Sequence, residues 1–186
     1  MNTITVDKTI TADKYGNTRI VVKNVRYSPL ASQETNYYTA SIYLDGKRLG
    51  EARNEGQGGS TWCCPVAPGN RPKMKEAEEY ASSLPSITYE PERSPTDFSD
   101  YPLSAITLDM DLELLIDSLV EEVIIAKSLK LFETKMKRLC KTKVVLKEEG
   151  MYTTLNIRYI PELKGQLLKK YPKALVMNDV WGLVST

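Results

Sequence analysis

The chain has 186 residues, of which 41% are hydrophobic and 26% charged, enough for one compact domain or two small ones. Its 25 Lys and Arg residues nearly balance its 24 Asp and Glu residues, so net charge gives no argument for coating nucleic acid or an anionic membrane. It has no histidine, which argues strongly against triad hydrolases and His-ligated zinc enzymes.

The first part of the chain, from Thr3 to about Arg53, is rich in β-forming residues and is broken by turn sequences at Lys14–Asn17 and Asp45–Gly46. This pattern predicts an antiparallel meander. Asp45–Gly46 is the stronger turn, because a two-residue type I′ turn needs positive φ at both positions. The strands that it joins are predicted at Asn36–Leu44 and Lys47–Arg53.

A glycine-rich loop follows at Asn54–Thr61, and the hairpin is predicted to end there. A short helix is expected from about Pro72 to Ser83, with Asn70 as its N-cap. Four prolines between Pro85 and Pro102 predict an extended connection.

The longest periodic segment runs from about Asp109 to Cys140 and predicts one long amphipathic helix or two helices in tandem. After it, Lys143–Lys147 and Tyr152–Tyr159 are expected to form a hairpin, Pro161 to open a helix through Lys170, and 174–177 to be a last strand. The tail is therefore predicted as ββαβ.

The sequence thus predicts an α+β fold with three parts. A β-rich module with a short helix spans residues 1–84, a proline-rich connector spans 85–106, and a long helix with a ββαβ module spans 107–186. The long helix has more apolar positions than a small domain covers, which makes a homodimer one option.

The three cysteines, Cys63, Cys64 and Cys140, lack the spacing of zinc ribbons or redox motifs, and we expect neither a disulfide framework nor a metal site. No signal-peptide pattern and no membrane-spanning apolar run appears in the sequence. We therefore expect a soluble protein of the cytoplasm, without membrane contact and without a cofactor.

Charge is distributed unevenly along the chain. Residues 76–122 carry 13 acidic side chains and one basic, whereas residues 127–173 carry 13 basic and four acidic. The basic half predicts either a nucleic-acid- or phosphate-binding face or an ordinary charged surface that docks on the acidic half or faces water. The candidate phosphate contacts are Lys135, Lys137, Arg138, Lys141, Lys143 and Lys147.

The glycine loop has two interpretations. Its backbone N–H groups could form an anion-binding nest for a small phosphorylated ligand, or the loop could be a plain strand-exit turn, since it matches neither common phosphate-loop pattern. Exposed loops also serve as partner contacts. The candidate contact residues here are Asn54, Glu55, Gly56, Gly58, Gly59, Ser60 and Thr61.

Tyrosines on the strands are candidates for the same contact surface. Strand alternation would place Tyr38, Ala40, Ile42 and Leu44 inward and leave Tyr37 and Tyr43 outward, available to a partner.

Two stretches carry a resemblance to a known group. The segments are Ala31–Thr35 leading through Tyr43–Lys47 to Asn54–Gly59, and the tail from Lys169–Pro172 to Val176–Asn178. Together they resemble uncharacterised small accessory proteins of tailed phages and prophages. The resemblance implies a role in the infected cell, where such proteins often bind and block a host component such as a CRISPR effector or a nuclease.

The leading hypothesis is therefore a phage-encoded protein that binds a host protein or ribonucleoprotein complex, as an inhibitor of host defence, without catalysis. No catalytic residue is assigned. The alternatives are a nucleic-acid-binding module using residues 127–147, and binding or turnover of a small phosphorylated ligand at Gly56–Thr61.

Overall fold

The structure, a computed structural model, describes residues 4–5, 15–89 and 104–183. It has the predicted α+β class, with antiparallel sheets and helices. The chain divides into two compact units, Met1–Ile125 and Ala126–Thr186. This division falls inside the long helix, whereas the sequence analysis placed the boundary at residues 85–106.

A five-stranded antiparallel meander forms the sheet of the first unit. Its strands, in spatial as well as chain order, are β1 (Ile4–Thr5), β2 (Ile20–Tyr27), β3 (Tyr37–Leu44), β4 (Lys47–Glu55) and β5 (Trp62–Pro65). The predicted turn is confirmed, with φ of 50° at Asp45 and 77° at Gly46. The β3–β4 hairpin ends at the glycine loop as predicted, with Tyr37 paired to Glu55. The sequence did not predict β5, which follows the loop and pairs with β4.

Two helices supply the apolar residues that cover one face of this sheet, which we call the inner face. They are α1 (Arg71–Ser82) and the N-terminal half of α2 (Leu112–Cys140), which is one continuous helix. The predicted alternation on β3 is confirmed, and Tyr38, Ala40, Ile42 and Leu44 are buried in this core. The largest fully buried side chains of the unit include Tyr38, Ile20, Ile42, Leu115, Ile116 and Leu119.

Asn70 precedes α1 as predicted, but its side chain does not cap the helix. Its Nδ2 donates instead to the backbone oxygen of Leu49, at 2.9 Å. Capping by a side chain is seen at α2, where the Asp111 carboxylate accepts the N–H of Leu114 at 2.7 Å.

The ends of the predicted connector are paired strands rather than an extended connection. β6 (Ile87–Tyr89) and β7 (Ile106–Leu108) form a two-stranded antiparallel sheet, and Ile87 joins the core of the first unit. The middle of the connector, residues 90–103, lies outside the described residues, as do residues 1–3 and 6–14 of the predicted meander.

The second unit confirms the predicted ββαβ tail and adds one short helix. Its elements are β8 (Val144–Glu148), β9 (Met151–Leu155), α3 (Lys164–Lys170), β10 (Leu175–Val176) and α4 (Met177–Val180). The sheet order is β10-β8-β9, and every pairing is antiparallel. The β8–β9 turn again has positive φ at both central residues, 47° at Glu149 and 85° at Gly150.

Asn178, on α4, joins three parts of this unit through one fully buried side chain. Its Oδ1 accepts the N–H of Val145 at 2.8 Å, and its Nδ2 donates to the backbone oxygens of Cys140 and Lys143 at 2.9 and 2.8 Å. The side chain therefore ties the last residue of α2 and the start of β8 to α4. Both of its N–H donors and one of its two acceptor sites are used.

We expect Asn178→Ala to lower the free energy of opening of β8 by about 3 kcal/mol, because it leaves buried backbone groups without partners. Amide hydrogen exchange of Val144–Glu148 measures this opening. Asn156→Ala, at an exposed position of the same unit, is the matched control and should change it by less than about 0.5 kcal/mol. Equal protection in the two variants would show that Asn178 does not stabilise β8.

Candidate functional site

The glycine loop is built around the buried side chain of Asn54. Its Oδ1 accepts the hydroxyl of Thr35 at 2.8 Å and the N–H of Gly56 at 2.9 Å. Its Nδ2 donates to the Thr61 hydroxyl oxygen at 3.0 Å and to the backbone oxygen of Gly59 at 3.2 Å. One amide side chain thus holds both ends of the loop together.

A left-handed backbone explains why glycine stands at two of the loop positions, and close packing against a backbone carbonyl adds to it at Gly56. Gly56 has φ of +75°, and a Cβ there would lie 2.5 Å from the backbone oxygen of Ala31. Gly58 has φ of +82°, and a Cβ there would lie 2.3 Å from the Glu34 carboxylate. The Gly56 carbonyl accepts the N–H groups of Gln33 and Glu34 at 2.8 and 3.1 Å, so the segment around them packs on the loop.

This geometry changes the interpretation of the loop. The N–H groups of Gly56 and Gly58 donate inside the protein, to Asn54 and Thr35, so they do not form the anion-binding nest considered from the sequence. Three of the candidate contact residues, Asn54, Gly56 and Thr61, are buried. The loop positions exposed to a partner are Glu55, Gln57, Gly58, Gly59 and Ser60.

A carboxylate on α2 completes this network. The Tyr38 and Thr61 hydroxyls both donate to Oδ1 of Asp117, at 2.6 and 2.5 Å. Burial, and then the Asp117 charge, raise the pKa of the Tyr38 phenol, which stays protonated as a donor. Sequence reasoning missed this cluster because Asp117 is 79 residues from Tyr38 and 56 from Thr61.

The opposite face of the sheet, which we call the outward sheet face, owes its chemistry to two irregularities in strand pairing. In β2 the register shifts between Lys23 and Arg26, where Asn24 has φ of 53°. Simple alternation from Val21 and Lys23 would turn Val25 outward; the bulge instead buries Val25 and exposes Arg26. A second shift in β4, beside Ile42 and Tyr43 of β3, leaves both Arg48 and Glu51 exposed.

Cross-strand pairing then aligns a row of side chains on this face. Arg26 pairs with Thr39, Thr39 with Arg53, and Arg53 with Trp62, so the row crosses four strands at a spacing of about 4.8 Å. The Trp62 side chain is 72% exposed. The row borders an open depression of about 520 Å³.

The charges of the outward sheet face are mixed. Arg48 pairs with Glu51 and Arg53 with Glu55, at 2.6 and 2.7 Å. Arg26 is exposed and forms no ion pair with any residue that the structure describes. Among the described residues the face therefore alternates in sign, and Arg26 is an exposed cation of that face without an ion pair to any of them.

The two tyrosines predicted to face outward are half-buried on this face. Tyr37 pairs with Glu55, and Tyr43 pairs with Arg48. The Lys23 ammonium lies 4.6 Å from the centre of the Tyr43 ring, a cation–π contact. Both rings keep part of their surface accessible, and they belong to the outward sheet face with Lys23, Arg26, Arg48, Glu51, Arg53, Glu55 and Trp62.

The six basic candidates of the second unit do not share one face. Lys135, Lys137 and Arg138 lie on α2, where about 100° per residue places Arg138 about 120° from Phe132 and about 160° from Met136 around the helix axis. Lys141 and Lys143 lie in the turn after α2, and Lys147 lies on β8. Lys137 is paired with Glu133 at 2.8 Å.

Other chemistry is limited within the described ranges. Residues 15–89 and 104–183 contain no group of three side chains arranged to hold a metal ion, and no helix among them is long and apolar enough to cross a bilayer. The Cys63 thiol is half-buried, and burial beside Glu113 and Asp117 raises its pKa to about 12. Burial raises the pKa of Cys140 to about 11.

Comparison of the chain with protein-family models, curated proteins and solved structures gave no significant match. The function is therefore argued from the surfaces described above.

We expect Gly56→Ala to destabilise the first unit by roughly 2–4 kcal/mol. Alanine is strained at the positive φ of this position, and its methyl group would clash with the Ala31 carbonyl. Gly59→Ala is the matched control, since its φ is not positive and nothing lies within 4 Å of the added Cβ. Urea denaturation followed by far-ultraviolet circular dichroism measures both. Equal midpoints would refute a structural role for Gly56.

We expect Cys63 to react with iodoacetamide at pH 8 at least about 100-fold more slowly in the folded protein than in urea, because little of a thiol with a pKa of about 12 is ionised at that pH. Peptide mass spectrometry assigns the labelled cysteine. Equally fast labelling in both states would contradict the environment that raises the pKa of Cys63.

Proposed function

We propose that this protein acts by stoichiometric binding to a partner protein, and that the outward sheet face is its contact surface. The observation that carries the proposal is the row formed by Arg26, Arg53 and Trp62 at the edge of an open depression. Trp, Tyr and Arg are the residue types that dominate the binding energy of protein interfaces.

The exposure of Trp62 is the strongest single argument. Its side chain is 72% exposed although the first unit has a complete core on the other face of the same sheet. An indole adds a large apolar area and one N–H donor when a partner covers it, and it loses little conformational entropy. Arg53, its cross-strand neighbour, can donate to partner carboxylate or carbonyl oxygens.

The charge pattern favours a protein over nucleic acid at this face. Glu51 and Glu55 stand among the cations and already pair with Arg48 and Arg53. A phosphate backbone would meet these carboxylates as like charges, whereas a protein surface can present both signs. Arg26 adds a preference for a carboxylate on the partner.

The identity of the partner is proposed from the resemblance to phage accessory proteins. Such a protein would act in a bacterial host, and we propose a host protein or ribonucleoprotein complex of a defence system, such as a CRISPR effector, as its target. The absence of histidine supports binding rather than turnover as the mode of action.

The test compares tagged wild-type protein with Arg26→Glu and Trp62→Ala in nuclease-treated bacterial extract, with recovered proteins quantified by mass spectrometry. A hot-spot contribution of about 2 kcal/mol corresponds to a roughly 30-fold loss of affinity for each variant. Neither side chain is needed by the core, so both variants should keep the wild-type melting temperature.

Lys75→Glu is the control for charge reversal, since Lys75 is 76% exposed on α1 of the same unit. It should retain the partner. Recovery of the same proteins in equal amount by Arg26→Glu and Trp62→Ala would refute the outward sheet face as the contact surface. Failure to recover any stoichiometric protein after nuclease treatment would refute the protein partner.

A further inference from the structure

The second unit contains an aromatic groove that the proposed function does not use. Phe132 from α2, Tyr152 from β9 and Trp181, which follows α4, line an open cavity of about 530 Å³ together with Lys147 from β8. Three separate elements therefore bring one ring each to the same groove. Phe132 is 42% exposed, and Tyr152 and Trp181 are half-buried.

Tyr152 and Trp181 pack on the core of the second unit, keep part of their surface exposed, and have cations over their rings. Phe132 meets Tyr152 edge to face, with centroids 5.0 Å apart and planes at 77°. The Lys147 ammonium lies 5.3 Å from the Tyr152 centroid, and the Lys137 ammonium lies 5.5 Å from the Trp181 centroid. A negatively charged group that binds beside Tyr152 or Trp181 would therefore be within reach of a lysine ammonium.

The charge of the unit distinguishes this groove from the outward sheet face. Residues 126–186 contain 13 Lys and Arg residues but only five Asp and Glu residues, a net charge of +8. Glu133 lines the groove, and its carboxylate is paired with Lys137 at 2.8 Å. The cations without an ion pair to any described residue include Lys130, Lys135, Arg138, Lys141, Lys143, Lys147, Arg158, Lys169 and Lys170.

We propose that this groove binds single-stranded nucleic acid, with bases stacked on Tyr152 and Trp181 and phosphates contacted by Lys147 and Lys137. Aromatic rings beside a basic groove are the means by which proteins bind unpaired strands with little sequence preference. A duplex keeps its bases stacked on one another and cannot offer their faces to these rings. The site lies wholly in the second unit and is independent of the proposed protein contact.

The direct test follows the fluorescence of Trp181. The chain has two tryptophans, so Trp62→Phe leaves Trp181 as the only one. Titration with (dT)15 and (rU)15 should quench this fluorescence, and the two strands distinguish DNA from RNA as the ligand. A 15-base-pair duplex should bind at least about tenfold more weakly. An unchanged signal at saturation, or equal binding of the duplex, would refute base stacking in the groove.

Variants test the individual contacts by fluorescence anisotropy with labelled strands. Tyr152→Leu keeps an apolar side chain but removes a stacking ring, and it should weaken binding about tenfold. Lys147→Gln should weaken binding and reduce the salt slope of log K by about 0.7. Melting temperatures identify any variant that loses its fold. Lys147→Gln, which removes a charge and leaves all three rings in place, carries the test if Tyr152→Leu unfolds.

Two further variants separate the groove from general positive charge. Glu133→Gln removes the carboxylate beside the groove and frees Lys137, so it should tighten binding about threefold and make the salt slope steeper. Arg138→Gln removes one charge from the opposite side of α2 and should change affinity less than about twofold. Equal losses for Arg138→Gln and Lys147→Gln would refute the groove as the site.

Discussion

The alternation of side chains across the N-terminal sheet is the constraint on which both faces of the first unit depend. A shift of one residue exchanges the inner and outer sets of a strand, so the position of each bulge decides what is buried. The bulge at Asn24 places Val25 in the core and Arg26 on the surface. The same two residues without the bulge would put an apolar side chain in water and a guanidinium in the core, so the outward sheet face and the core are consequences of one local geometry.

Buried polar side chains have a different role, that of joining segments distant in the chain. Asn54 closes the glycine loop, and Asp117 receives the hydroxyls of Tyr38 and Thr61. None of the buried side-chain nitrogen and oxygen atoms among the described residues lacks a hydrogen-bond partner. Because an unpaired polar atom in the core is costly, such a network favours one arrangement of loop and helix over the alternatives. In the second unit Asn178 does the same for α4 and the start of β8.

The two proposed surfaces differ in chemistry, and the difference follows from the distribution of charge. The outward sheet face mixes arginines with glutamates, which suits a protein that presents both signs. The aromatic groove lies in a unit with a net charge of +8, where unpaired lysines can approach phosphates. The two sets of variants affect different units and can be judged separately.

The sequence by itself determined the features that depend on near neighbours: the type I′ turn at Asp45–Gly46, the faces of β3, the long helix and the ββαβ tail. Periodicity and turn chemistry act over a few residues, so a single chain reveals them. It did not reveal β5, the β6–β7 pair, the two bulges, or the network around Asp117. A strand of three or four residues is too short to show a clear alternation of apolar and polar side chains. Trp62–Pro65 forms a strand only because β4 lies beside it and pairs with it. The internal hydrogen bond of the Gly58 N–H was likewise decided only by the tertiary structure, because its acceptor, Thr35, lies 23 residues earlier in the chain.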